Sequence, residues 1–116
     1  MIRIGKSNEI TKVKYLPVEV VEQVQETLTV LDDAYGIERD MITDLGGYVA
    51  IIESTEDIQI LKELRVDIYT EYAEWMDKIQ CKNGELWIKA LYMLSSDYAV
   101  VVVGKVGIID MNKINE

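Results

Sequence analysis

Residues 79–104 constrain this chain most, because they read as two adjoining antiparallel strand pairs in unbroken succession. Lys82-Asn83-Gly84-Glu85 carries the Asn-Gly pair suited to a two-residue type I′ turn, whose central residues both sit at positive φ. Beyond it, Leu86, Ile88, Ala90, Tyr92 and Leu94 alternate with Trp87, Lys89, Leu91 and Met93, so this strand is expected to be buried on most of both sides. Ser95-Ser96-Asp97 brings short polar side chains that bond their own backbone in turns, and Tyr98-Ala99-Val100-Val101-Val102-Val103 returns as the expected central strand.

The other elements fall around this meander. Residues 1–5 and 10–16 alternate on either side of Lys6-Ser7-Asn8-Glu9 and predict an opening hairpin, with Lys12 and Lys14 on the face of Ile10 and Leu16. Pro17 suits a first helical turn. Val20, Val21, Val24, Leu28, Leu31 and Tyr35 then share its face, with Glu19, Glu22, Glu26 and Asp33 opposite and Gly36 as the stop. Residues 48–53 read as a strand that residues 41–45 pair with across a Gly46-Gly47 turn. Ser54-Thr55-Glu56-Asp57 has capping-box spacing and starts a second helix. Its end is placed near Arg65, with a helix reaching Tyr72 as the alternative, and the chain is extended from about Asp77. Ile108-Ile109 is a candidate last strand before a polar tail.

These elements predict one α+β domain over residues 1–116: a mainly antiparallel sheet of five to seven strands, ending in the meander, with two helices packed on one face. A chain of 116 residues suits a single domain, and 49% hydrophobic with 28% charged residues is a globular composition. No apolar run approaches the ~20 residues of a bilayer span, so no membrane partner is expected. The first residues show no secretory signal, and the single cysteine, Cys81, excludes an internal disulfide; the cytoplasm is the expected compartment. Cys81 itself reads as a small filler rather than a reactive thiol.

Charge is unevenly distributed along the chain. The net charge is −9. Residues 18–57 hold eleven acids and one base, Arg39, whereas residues 1–17 carry four bases and one acid. Such acidity repels phosphate backbones, so direct nucleic-acid binding is not expected, while a protein with a basic surface is a natural partner. Asp32 and Asp33 near the end of the first helix oppose its dipole by ~0.3 to 1 kcal/mol each at a surface, a conflict that Lys12 or Lys14, or solvent and salt, ordinarily offsets and that a docked basic surface would offset as well.

The available chemistry is narrow. With no histidine, Ser-His and Cys-His nucleophile pairs are excluded and zinc lacks a normal ligand set. Gly5-Lys6-Ser7 has neither the first glycine nor the following helix of a phosphate-binding loop. Asp40, Asp44 and Glu53 are weak candidates for a magnesium or calcium cluster, without the alternating acids of a calcium loop. Trp75 and Trp87 read as packing rather than as a stacking platform, and Lys89 as a lysine extending along the sheet surface rather than a tuned amine.

The expected function is therefore a small, non-enzymatic protein-interaction module without a cofactor. Its candidate surface is the acidic set Glu19, Glu22, Glu26, Asp32 and Asp33. An inhibitor, an immunity protein or an accessory protein of a phage or mobile element would suit these dimensions. The rivals are a magnesium-dependent hydrolase built on the acidic cluster and a structural homo-oligomer, such as a homodimer, joined through a sheet edge or helix face.

Overall fold

A computed structural model describes residues 1–5, 9–35, 46–70, 72–95 and 98–114, with the side chains of 31–35, 46–48 and 114 outside the description. In chain order the elements are β1 (Ile2–Ile4), a 3-10 turn (Glu9–Lys12), α1 (Val18–Tyr35), β2 (Gly46–Ile52), α2 (Glu56–Glu63), β3 (Trp75–Gln80), β4 (Leu86–Ser95), β5 (Tyr98–Lys105) and α3 (Met111–Ile114). The strands form one five-stranded sheet in the order β1-β2-β5-β4-β3. Three of its four pairings are antiparallel, and β2 runs parallel to β5. The fold is α+β, and the valine run of β5 lies at the centre of the sheet, as its composition predicts.

The two long helices lie on opposite faces of that sheet, not on one. Val20, Val24 and Leu28 of α1 pack with Val49, Ile51, Leu91, Val101 and Val103. Ile58 and Leu61 of α2 pack with Ala50, Ile52, Ile88, Ala90, Tyr92, Val100 and Val102. Successive strand residues point to opposite sides, so β4 and β5, apolar at both parities, present two nonpolar faces that each need a cover. The connection from β1 to β2 supplies α1 to the first face, and that from β2 to β3 supplies α2 to the second. Val66, Ile68 and Ile109 complete the second layer.

Several local expectations change. No opening hairpin forms: β1 pairs antiparallel with β2, Ile2 opposite Ile51. The alternating segment after it instead begins as a 3-10 turn. Turns bury Ile10 and Leu16 while leaving Lys12 and Lys14 exposed, so the lysines do not share the apolar face. Gly46 and Gly47 are not a turn but the first residues of β2, opposite Tyr98 and Ala99; residues 41–45 lie outside the described residues.

The β3–β4 connection is also one residue longer than the type I′ reading. Only Gly84 is at positive φ, at 91°, and Asn83 is not. Cys81 N–H donates to the Glu85 carbonyl and Gly84 N–H to the Cys81 carbonyl, each at 3.0 Å. Beyond the Gln80–Leu86 pair, Cys81 and Glu85 flank a three-residue loop, residues 82–84, closed by a left-handed glycine. After β5, Ile108 and Ile109 form no strand; Val106 and Ile109 make one isolated bridge before α3.

Both long helices begin where the sequence indicates. The Pro17 carbonyl accepts the amides of Val20 and Val21, both at 3.1 Å. Ahead of α2, Asp57 supplies the reach-back half of the capping box, its Oδ2 accepting the amides of Glu53 at 2.7 Å and Ser54 at 3.1 Å. The helix stops at Glu63 because Arg65 turns left-handed, at φ 68°. Arg65 N–H bonds the Lys62 carbonyl and Val66 N–H the Leu61 carbonyl, which satisfies two orphan carbonyls of the last turn. Leu61 and Val66 join the same buried cluster, so the reversal also buries apolar surface. The shorter of the two helix endings is the one adopted.

Candidate interaction surface

α1 buries Val20, Val24, Thr27 and Leu28 and turns Glu22 and Glu26 to solvent. The same outward stripe carries Val18 and Val30, 60% and 48% exposed. At four-residue spacing, Val18, Glu22, Glu26 and Val30 lie one above another on the helix surface. Neither glutamate makes a hydrogen bond or ion pair among the described residues. Two carboxylates without a hydrogen bond or ion pair among the described residues, bracketed by exposed valines, form an unclaimed surface on this element.

Glu19 does not join them. It is half-buried, with Oε1 3.5 Å from the Lys82 amide of the β3–β4 turn and Oε2 buried without a hydrogen-bond partner. It lies against Cys81, whose thiol is pushed up by burial first and by the Glu19 carboxylate second. That buried thiol is a poor nucleophile. The side chains of Asp32 and Asp33 lie outside the described residues.

Of the candidate metal ligands, Asp40 and Asp44 lie outside the described residues. Glu53 is engaged elsewhere: it accepts the Tyr15 hydroxyl and stands 3.6 Å from the Met1 ammonium. Among the described residues no three His, Cys, Asp or Glu side chains gather closely enough to hold a metal ion. Burial first, and then the Glu53 carboxylate, raise the Tyr15 hydroxyl well above its ordinary value. A shallow depression lined by Val106, Gly107, Ile109, Asp110, Met111 and Asn112 contains a single titratable group.

The tryptophans belong to the core and its rim. Trp87 is buried, and its indole N–H donates to Glu85 Oε2 at 2.8 Å. Glu85 also meets Lys105 at 3.4 Å, and the indole bond leads the effects that hold its carboxyl below the usual range. Trp75 is half-buried beside Lys89.

Lys89 departs from expectation. It is 5% exposed, not laid along the surface. Its Nζ donates to Gln23 Oε1 of α1 at 2.8 Å and sits 5.0 Å from the centre of the Trp75 ring. Burial holds the amine below the ordinary lysine value, and Asp77 and Glu26 oppose that shift. Two sequence signals pointed here. Lys89 has the parity of Trp87 and Leu91, which face α1, and Gln23 stands on α1 between the buried Val20 and Val24. A polar residue in each of two facing apolar stripes marks a buried pair.

Among the described residues no helix is long and apolar enough to cross a membrane. No family of known proteins matches this chain, and neither the characterised proteins nor the solved structures compared with it give a match.

Proposed function

We propose that this protein acts by contact, docking the outer face of α1 on a basic surface of another protein and carrying out no covalent chemistry of its own. The observation that carries this reading is the stripe Val18, Glu22, Glu26, Val30: exposed, acidic at its middle, apolar at its ends and without ion pairs among the described residues. Carboxylates of this kind steer a basic partner and set its register, while the valines add apolar area at the contact. The lack of histidine and the burial of the only cysteine support a non-enzymatic role. The single unpaired thiol also supports a reducing compartment, the cytoplasm. An inhibitor, immunity or accessory role, including one carried by a phage or mobile element, fits this mode of action.

A different protein is a better partner than a second copy. Antiparallel contact between two α1 helices brings glutamates against glutamates. Pairing two β3 edges about a twofold axis makes one residue face its own copy; centred on the strand, that residue is Asp77 or Lys78. Like charges directly opposite destabilise a strand pair and blunt such edges.

The test is charge reversal. Glu22→Lys combined with Glu26→Lys is expected to weaken affinity capture of the partner by about tenfold or more, since like charges then meet across the contact. Because both sites are exposed, the thermal midpoint should stay within about 4 °C. Undiminished capture by the reversed protein contradicts the proposed face.

A further inference from the structure

The seat of Lys89 is short of acceptors for a full positive charge. An ammonium has three N–H donors, and the bond to Gln23 Oε1 satisfies one. The Trp75 ring offers its negative face to the amine, and no carboxylate forms an ion pair with it among the described residues. Yet Asp77 stands directly opposite Lys89 in the β3–β4 register, so both side chains leave the sheet on the same side. Asp77 is exposed at the outer strand of the sheet. A four-carbon side chain starting at Lys89 thus has two seats on one face: an inner one under α1 and an outer one at a solvated carboxylate.

The surroundings set which seat suits which charge. α1 contributes Gln23 and the carboxylate of Glu26, β3 contributes Trp75 and the carboxylate of Asp77, and β5 sets Val103 opposite Lys89. Both carboxylates favour the charged amine, and burial disfavours it. The Trp75 face also favours the charged amine, but burial with a single amide acceptor disfavours it, and an ammonium gains by moving to water and a carboxylate.

We propose that Lys89 is a two-position, proton-linked latch between α1 and the β3–β4 hairpin, neutral in the seat formed by Gln23 and Trp75 and charged when swung out to Asp77. The outward swing leaves the Gln23 side-chain oxygen without its donor, while Val20, Val24 and Leu28 keep α1 on the sheet. Glu26 belongs both to the outer stripe and to the surroundings of Lys89, so a basic group that neutralises it favours the inner, neutral position.

Nuclear magnetic resonance on the whole chain with labelled lysine, glutamine and tryptophan tests this. Lys89 is expected to titrate below the surface lysines, with the Trp75 ring and Gln23 side-chain amide signals moving at the same midpoint. Nuclear Overhauser contacts from the Lys89 ε-methylene to the Trp75 ring should be present on the neutral side and lost on the charged side. Asp77→Asn is expected to lower the midpoint, and Lys89→Met to abolish the coupled Trp75 and Gln23 response. Titration of Lys89 with the surface lysines, Overhauser contacts that persist unchanged through its titration, an unmoved midpoint in Asp77→Asn, or a Trp75 and Gln23 response that survives in Lys89→Met each overturns the latch.

Discussion

Asp57→Ala is expected to destabilise the protein by about 2 to 4 kcal/mol, because one buried carboxylate ties three donors together. Its Oδ2 accepts the amides of Glu53 and Ser54, and its Oδ1 accepts the Met1 ammonium at 2.8 Å. The side-chain accessibilities at the Met1–Asp57 contact are 5% and 7%, so removing the carboxylate strands donors where water reaches poorly. The same substitution deletes the capping contact of α2 and detaches the start of β1 from the helix on the second face.

The pH dependence of this contact has two ends. Burial by itself would raise the Asp57 carboxyl, but the ammonium and the two amides outweigh it and hold it below its ordinary value. The Met1 amine is raised, chiefly by its hydrogen bond to Asp57. A depressed carboxyl stabilises the fold above its unfolded pKa and loses that contribution as pH falls through the folded one. A raised amine stabilises below its unfolded pKa and loses its contribution as pH rises through the folded one. The stabilisation is therefore full between roughly pH 4 and pH 8 and declines beyond both limits. Urea denaturation from below pH 4 to above pH 8 should find the gap between wild type and Asp57→Ala full between those limits and narrower beyond each. A gap below about 1 kcal/mol at pH 6 contradicts the assignment.

The second large effect is steric. Gly104 lies in β5 opposite Ile52 and Ile88, and a Cβ there would come within 2.7 Å of Ile109 Cδ1 and 3.2 Å of Ile52 Cβ. Its backbone is not left-handed, so the requirement is for space rather than conformation. Ile109, 1% exposed, fills that space from across the chain reversal. Gly104→Val is expected to destabilise by about 1 to 3 kcal/mol through overpacking. Combined with Ile109→Ala it should cost less than the sum of the two single substitutions, a coupling of about 0.5 kcal/mol or more in a double-mutant cycle. Strict additivity means that Ile109 is not what occupies the space.

What the sequence made legible follows from where local chemistry decides the outcome. The apolar alternation of Leu86 to Leu94, the spacing of Val20, Val24 and Leu28, and the acid at Asp57 each act within a few residues, and the elements they mark formed. Pairing partners depend on distant chain. Nothing near Ile2 indicates that β1 joins β2, and nothing near Val100 distinguishes a parallel neighbour from an antiparallel one. The valine run implied burial on two faces, which, taken to its end, requires a helix on each. Asn83-Gly84 marked a turn, but Asn83 tolerates a right-handed conformation too, so the loop gained a residue. Lys89 is hard to place because a lone lysine is ordinarily placed by its charge; only its parity with Leu91, set against Gln23 on the facing helix, reveals the buried contact. Helical spacing alone puts Glu19 with Glu22 and Glu26. The β3–β4 turn beside Cys81 draws Glu19 inward.

The claim that matters most for function is that the outer stripe of α1, and not the outer side of α2 on the opposite face, meets the partner. Photo-crosslinking decides it directly: a photoreactive residue at Glu22 is compared in cells with one at Gln59, which is exposed on α2. One discrete crosslinked species is expected from Glu22, diminished by high salt, and none from Gln59. Crosslinks from Gln59 alone, or equal products from both positions, would contradict it.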